Sequence, residues 1–169
     1  MDLVEVEATI KGTAQSSVFV RNSIQYSASK LVDGLGLDGM FNNEDGCALT
    51  TGNTLTKWFS LELDVPRLVT KVQIARRMAF TILQGNNVTI SIGSSSEYDP
   101  NDSLCLPEIP KLELQSGLVD YVCTAGPIEG KYVKISSPLR LCICEATVFV
   151  HVGGIVHVLI ANYSRKRIL

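Results

Sequence analysis

VTKVQIARRMAFTILQGNNVTISIG, residues 69–93, decides how the rest of the chain is read. It holds two runs rich in β-branched residues, TKVQIA (70–75) and NNVTISIG (86–93), with adjacent arginines, Arg76 and Arg77, among apolar neighbours. Strand periodicity turns one arginine outward and the other toward the core or an edge. The same kind of run recurs along the chain as SSVFV (16–20), KWFSLELDV (57–65), GKYVKISS (130–137) and EATVFVHV (145–152). Between them lie Gly-, Asn-, Asp- and Ser-rich loops, such as GLGLDGMFNNEDGCALTTGN (34–53) and GSSSEYDPNDS (93–103). That rhythm predicts an all-β sandwich or barrel. A short helix is expected only around Ser27 to Val32, and no internal repeat or low-complexity tract is visible.

Composition narrows the function. At 169 residues, 46% of them apolar and with a net charge of −2, the chain is expected to form one domain with a real core. No basic face argues for nucleic acid, and the cluster Arg165-Lys166-Arg167 reads as a solvated tail. The start, MDLVEVEATIKG, is acidic and lacks the apolar stretch of a signal peptide. The longest apolar run, VFVHVGGIVHVLIA (148–161), is interrupted by histidines and a glycine pair and falls short of the ~18 residues of a membrane span. It is expected to form a C-terminal hairpin turning at Gly153-Gly154, with His151 and His157 as exposed strand residues. Such a hairpin offers strands to a neighbour and a route to a homo-oligomer.

Catalytic signatures are lacking. There is no G-x-S-x-G elbow, P-loop or H-E-x-x-H, and no carboxylate pair at a diagnostic spacing. A cysteine nucleophile needs a histidine, and both histidines lie in the final apolar run. The expectation is that the chain is not an enzyme. The cysteines, Cys47, Cys105, Cys123, Cys142 and Cys144, form no C-x-x-C pair and suit long-range disulfides in an oxidising compartment better than zinc. The sequons at Asn87, Asn101 and Asn162 agree with that compartment.

Three segments in order resemble the F-type lectins, the fucolectin family of fucose-binding proteins. ATIKGTAQSS (8–17) followed by YSASKLVDG (26–34) looks like that family's opening strand and A-x-x-A-V-D-G turn, with Leu31 in place of the second alanine. TLTKWFSLELDVPRLVTKVQIARR (54–77) resembles its aromatic strand and the strand that leads to the sugar-binding arginine. KYVKISSPLRLCICEATVFV (131–150) resembles its closing strands. The resemblance implies a jelly-roll-like, galactose-binding-domain-like β-sandwich over residues 1–150, with 151–169 as a strand extension and basic tail. It also implies secretion, disulfides Cys47–Cys144 and Cys105–Cys123, and a Cys142 that is either a buried small hydrophobe or available to another chain.

The resemblance further implies a Ca2+ held by Asp38 and Glu145, with carbonyls near Leu35, Met40 and Cys144 and an oxygen from Thr50. A hard cation wants six to eight such oxygens. The alternative for the 31–47 loop is a set of Asx turns without metal. The sugar site departs from the family. In the register that keeps Arg76, Leu49 stands where a histidine is expected and Met78 replaces the aspartate. Ala79 and Phe80 replace a cysteine pair, and Leu83 replaces a second basic residue. Starting from Arg77 instead gives Thr50, Ala79 and Gln84. Arg76, Arg77, Phe80, Thr50, Thr51 and Gln84 are therefore the sugar-site candidates, and the arginine pair alternatively forms a surface ion pair with Glu62 or Asp64. The expected function is a calcium-supported module for fucose or a related glycan. The alternative is a structural or adhesion domain that has lost sugar binding and recognises protein.

Overall fold

A computed structural model describes residues 3–35, 46–52, 54–76, 85–113 and 117–153. The strands are β1 (Leu3–Glu7), β2 (Ile10–Gln15), β3 (Val20–Arg21), β4 (Ile24–Gln25), β5 (Ala48–Leu49) and β6 (Lys57–Arg76). After them come β7 (Asn86–Gly93), β8 (Ser103–Lys111), β9 (Val119–Val122), β10 (Ile128–Ser137) and β11 (Cys142–Gly153). One turn of 3-10 helix covers Ala28–Leu31, within the span where the sequence places a helix. The strands join antiparallel in the order β1-β11-β6-β10-β7-β8, with β2 and β9 also on β6 and β5 on β11. This curled all-β arrangement is the β-sandwich expected from the strand rhythm.

The two runs KWFSLELDV and TKVQIA are one strand of 20 residues. Its first part pairs with β2 and β10, and its last part with β11 and β9. Pro66, which cannot donate to a ladder, falls where partners change: β2 ends opposite Leu63, and β11 begins opposite Leu68. On the other side the β10 ladder shifts register between Tyr132, opposite Glu62, and Gly130, opposite Arg67. The exposed proline thus sits where one strand passes from one set of partners to the other.

Period-2 alternation then builds the core. Phe59, Leu61 and Leu63 of β6 meet Val88, Ile90 and Ile92 of β7, Val133 and Ile135 of β10, and Val148 and Val150 of β11, all at 1% exposure or less. Burying each such side chain contributes about 1.5–3 kcal/mol. Leu31, projected by the 3-10 turn, closes the same core. A second, smaller cluster forms from Tyr26, Cys47, Leu49, Cys142 and Cys144, flanked by Phe19 and Ile24.

Two expectations are corrected. SSVFV is not a strand: β2 ends at Gln15, and the Ser16 and Ser17 hydroxyls accept the backbone N–H of Trp58 and Thr51. Serine oxygens have replaced ladder partners there. His151 is half-buried rather than exposed, because β1 covers it and sets Glu5 opposite. Gly153, the first glycine of the expected turn, closes β11 opposite Leu3. The returning arm of the expected hairpin, from Gly154 on and including His157 and Asn162, lies outside the described residues.

Candidate functional site

The end of the sandwich where β5, the close of β6 and the opening of β11 meet carries the candidate sugar residues. Ile143 sits opposite both Ala48 and Arg76, and Cys142 opposite Leu49. The loop between β10 and β11, residues 138–141, is held there by hydrogen bonds from several directions. Thr50 and Leu141 form a reciprocal pair: the Thr50 N–H donates to the Leu141 carbonyl, and the Leu141 N–H donates to Thr50 Oγ1, both at 3.1 Å. The Lys57 ammonium donates to the Pro138 carbonyl at 2.9 Å, and Ser137 Oγ accepts the Leu139 N–H while donating to the Asn86 carbonyl.

A relay continues through the neighbouring turns. The Gly85 N–H donates to the Arg140 carbonyl at 3.3 Å, the Leu112 N–H to the Gly85 carbonyl at 2.8 Å, and Arg76 Nη1 to the Leu112 carbonyl at 3.0 Å. Gly85 suits this turn because its φ is +77°, a conformation that strains a side-chain-bearing residue, and a Cβ would press on Leu112 Cδ1 at 3.3 Å.

Arg76 therefore lies inside the framework. It is 8% exposed, and burial pushes its guanidinium pKa below the ordinary arginine value. Tyr121 shares the environment: burial raises its phenol, whose oxygen accepts the Glu113 N–H at 2.9 Å. The alternative of an ion pair with Glu62 or Asp64 is not what Arg76 makes. Those carboxylates pair with Lys131 and Arg67, each at 2.7 Å, and lie 12 to 14 positions back along the strand, roughly 40 Å at strand rise. Thr50, with no exposed surface, spends its backbone N–H and its hydroxyl on the 138–141 loop. Thr51 is half-buried beside it, and Arg77, Phe80 and Gln84 lie outside the described residues.

Arg140 is exposed, its guanidinium stands 5.9 Å from the Phe19 ring centroid, and it comes within 3.7 Å of where a Cβ on Gly52 would lie. Phe19 in turn stacks at a tilt on Tyr26, centroids 5.5 Å apart. Neither Arg140 nor Phe19 was among the sequence candidates. The available signal was an arginine in a proline-marked loop one residue from the buried Leu141-Cys142 pair.

The metal candidates fall beside a second feature. Glu145, 6% exposed and opposite Ala75, lines a cleft of about 400 Å3 with Glu7, Thr9, Val32 and Thr147. The loop that begins at Val32 ends at Cys47, which is bonded to Cys144, so both of its ends flank Glu145. Leu35 is 70% exposed, and its N–H donates to Asp33 Oδ1 at 2.9 Å, an Asx turn. Asp38 and Met40 lie outside the described residues, and among the described ones no three metal-ligating side chains converge. The Cys47–Cys144 and Cys105–Cys123 disulfides both form as the resemblance implies. Cys142 is a buried thiol outside them.

No family model and no curated protein sequence matches the chain. Solved structures do. A fucolectin from striped bass (Morone saxatilis) serum superposes with a TM-score of 0.61 at 25% identity, covering 83% of this chain and 45% of the fucolectin. The chain thus spans just under half the length of that lectin. A fucose-binding module from Streptococcus pneumoniae gives a TM-score of 0.58 at 23% identity, covering 83% of this chain and 94% of the module. A family 32 carbohydrate-binding module of AlyQ, solved with 4,5-unsaturated mannuronic acid, gives 0.60 at 16% identity, covering 85% and 97%. In each case the matching part is a sugar-binding domain and not a catalytic one. The resemblance read from three short segments is thereby borne out: the chain is a fucolectin-like β-sandwich that shares its fold with fucose-binding modules.

Proposed function

We propose that this chain is a non-catalytic, extracellular carbohydrate-recognition module for fucose or a related glycan, supported by calcium. The observation that carries the reading is the likeness to a fucolectin over 83% of the chain. The retained Cys47–Cys144 bridge and the pinned 138–141 loop support it at the level of the framework. Modules of this fold are solved with neutral and with acidic sugars, which suits a site whose side chains depart from the fucolectin pattern.

Calcium fits the donor chemistry of the Glu145 end. A buried carboxylate lies between the two ends of a loop rich in glycine and acidic residues, which supplies the hard oxygens this ion selects. Glu145, Asp38 and carbonyls near Leu35, Met40 and Cys144 would hold it. Its contribution when bound is to fix the 32–47 loop, not to react. Disulfides suit an oxidising compartment.

A glycan array probed with the full chain in calcium and in chelator tests the proposal, alongside Glu145→Gln. The expected result is calcium-dependent binding to fucosylated or related glycans, weakened in Glu145→Gln. A folded, calcium-loaded protein that binds no glycan overturns it. One observation favours a second reading as a protein-binding domain: all five residues of the edge strand β1 are exposed, including Leu3, Val4 and Val6. In that case the array is blank, and the protein self-associates or captures a partner through β1.

A further inference from the structure

We infer that Arg140, backed by Phe19 and flanked by Thr51 and Gly52, is the saccharide-binding cation of this module and selects sugars that carry a carboxylate or sulfate. The inference rests on the carbohydrate-recognition reading and gives it a residue and a ligand class.

Availability is the first argument. Among the described residues, Lys57, Arg76 and Arg140 lie at this end, and the first two are committed to the framework. Arg76 donates to the Leu112 carbonyl and Lys57 to the Pro138 carbonyl, each side chain buried. Arg140 is exposed, and among the described residues its guanidinium meets no carboxylate; it lies beside the Phe19 ring and over Gly52.

Rigidity is the second. The Arg140 carbonyl accepts from Gly85, its neighbour Leu141 is doubly bonded to Thr50, and Pro138 and Leu139 are fixed by Lys57 and Ser137. The side chain therefore projects from a backbone that does not have to be ordered when a ligand arrives, which removes one cost of binding. The Phe19 ring, 5.9 Å from the guanidinium carbon, restrains the exposed guanidinium further.

Charge is the third. A guanidinium with no carboxylate partner is poorly used on a neutral hydroxyl, which water serves as well. A planar two-oxygen anion accepts both N–H groups of the fork in charge-assisted bonds. The partly buried Phe19 ring beside the guanidinium offers a surface for a sugar's C–H face next to that anion.

Calorimetric titration with methyl D-glucuronide, a sulfated disaccharide and L-fucose, on wild type, Arg140→Ala and Arg140→Lys, tests this. Circular dichroism confirms the fold of each variant. The expected result is that an acidic sugar binds more tightly than fucose, weakens with salt, and loses about tenfold or more in Arg140→Ala. Arg140→Lys retains the charge but not the fork and falls between. Binding of any sugar that Arg140→Ala leaves unchanged overturns the inference and leaves the recognition module intact. A preference for fucose that depends on Arg140 overturns the ligand class. No binding of any glycan by the folded wild type overturns both readings together.

Discussion

Lys134 has no exposed surface, and its ammonium pairs with Asp102, itself only 8% exposed. The lysine stands on β10 between Ser60 of β6 and Ser91 of β7, and neither serine hydroxyl meets a hydrogen-bond partner among the described residues. Its neighbours Val133 and Ile135 face the core, so Lys134 faces the other way, beneath the loop that carries Asp102. Gly93 makes room: a Cβ there would overlap the Asp102 carboxylate. Removing the carboxylate by Asp102→Ala leaves a buried cation with no counter-charge, a change that costs about 3–5 kcal/mol. For a chain of this length that is a fall in melting temperature of roughly 6–20 °C. The double variant Asp102→Ala/Lys134→Met removes both charges and fills the space, so it should recover most of the loss. Thermal and urea unfolding of the wild type, both singles and the double close the cycle. A loss below about 1 kcal/mol in Asp102→Ala, or a double variant no more stable than it, refutes the reasoning that a dry ion pair holds the 94–102 loop to the sheet.

The two disulfides should differ in the stability they confer. Chain entropy gives about 4.7 kcal/mol for the bridge that spans 97 positions, Cys47–Cys144, and about 3.2 kcal/mol for Cys105–Cys123, which spans 18. Denaturant midpoints of the two double-alanine variants should fall in that order, and the reverse order refutes the entropic account. Acid should loosen β1. Glu5 is held below its ordinary pKa first by the Thr70 hydroxyl and then by Lys71, and Asp120 first by Gln73 and then by Lys71. Folded-state pKa values below the unfolded ones mean stability that is present above about pH 4.5 and lost as pH falls through the folded values. Amide exchange of β1 followed from about pH 6 to about pH 3 should rise relative to the core strands, and Glu5→Gln should remove the difference. Equal protection of β1 in both proteins across that range refutes it.

The fold was legible where one local rule governed. Alternation in residues 57–63, 86–92 and 130–137 placed β6, β7 and β10 because each has a face buried in a single core. It was illegible where another interaction replaced the ladder. Ser16 and Ser17 satisfy backbone groups of other strands, so a β-branched run beside them stays irregular. Pro107 and Pro110 mark β8 as loop-like, yet an outer strand has N–H groups to spare and accepts them. The break read between KWFSLELDV and TKVQIA was likewise no break, since Pro66 occupies the only stretch of β6 that needs no donor.

The candidate site separates differently, because a motif register fixes where a Cα lies and not what its side chain is free to do. Arg76 stands where the register puts the sugar-binding arginine, and Thr50 and Leu49 stand beside it. With an aspartate absent at position 78, nothing in the sequence says whether that guanidinium turns to a ligand or inward, and the Leu112 carbonyl, offered by the turn at Gly85, accepts it. Once inside, the arginine becomes part of the relay that positions the 138–141 loop, and the exposed Arg140 is the next cation along that relay. A site of this kind conserves a place for a charge at one end of the sandwich while moving the charge itself from a strand to a loop. The displacement also changes what the charge can bind, since a cation that meets no carboxylate among the described residues is matched by an anionic ligand and poorly matched by a neutral one.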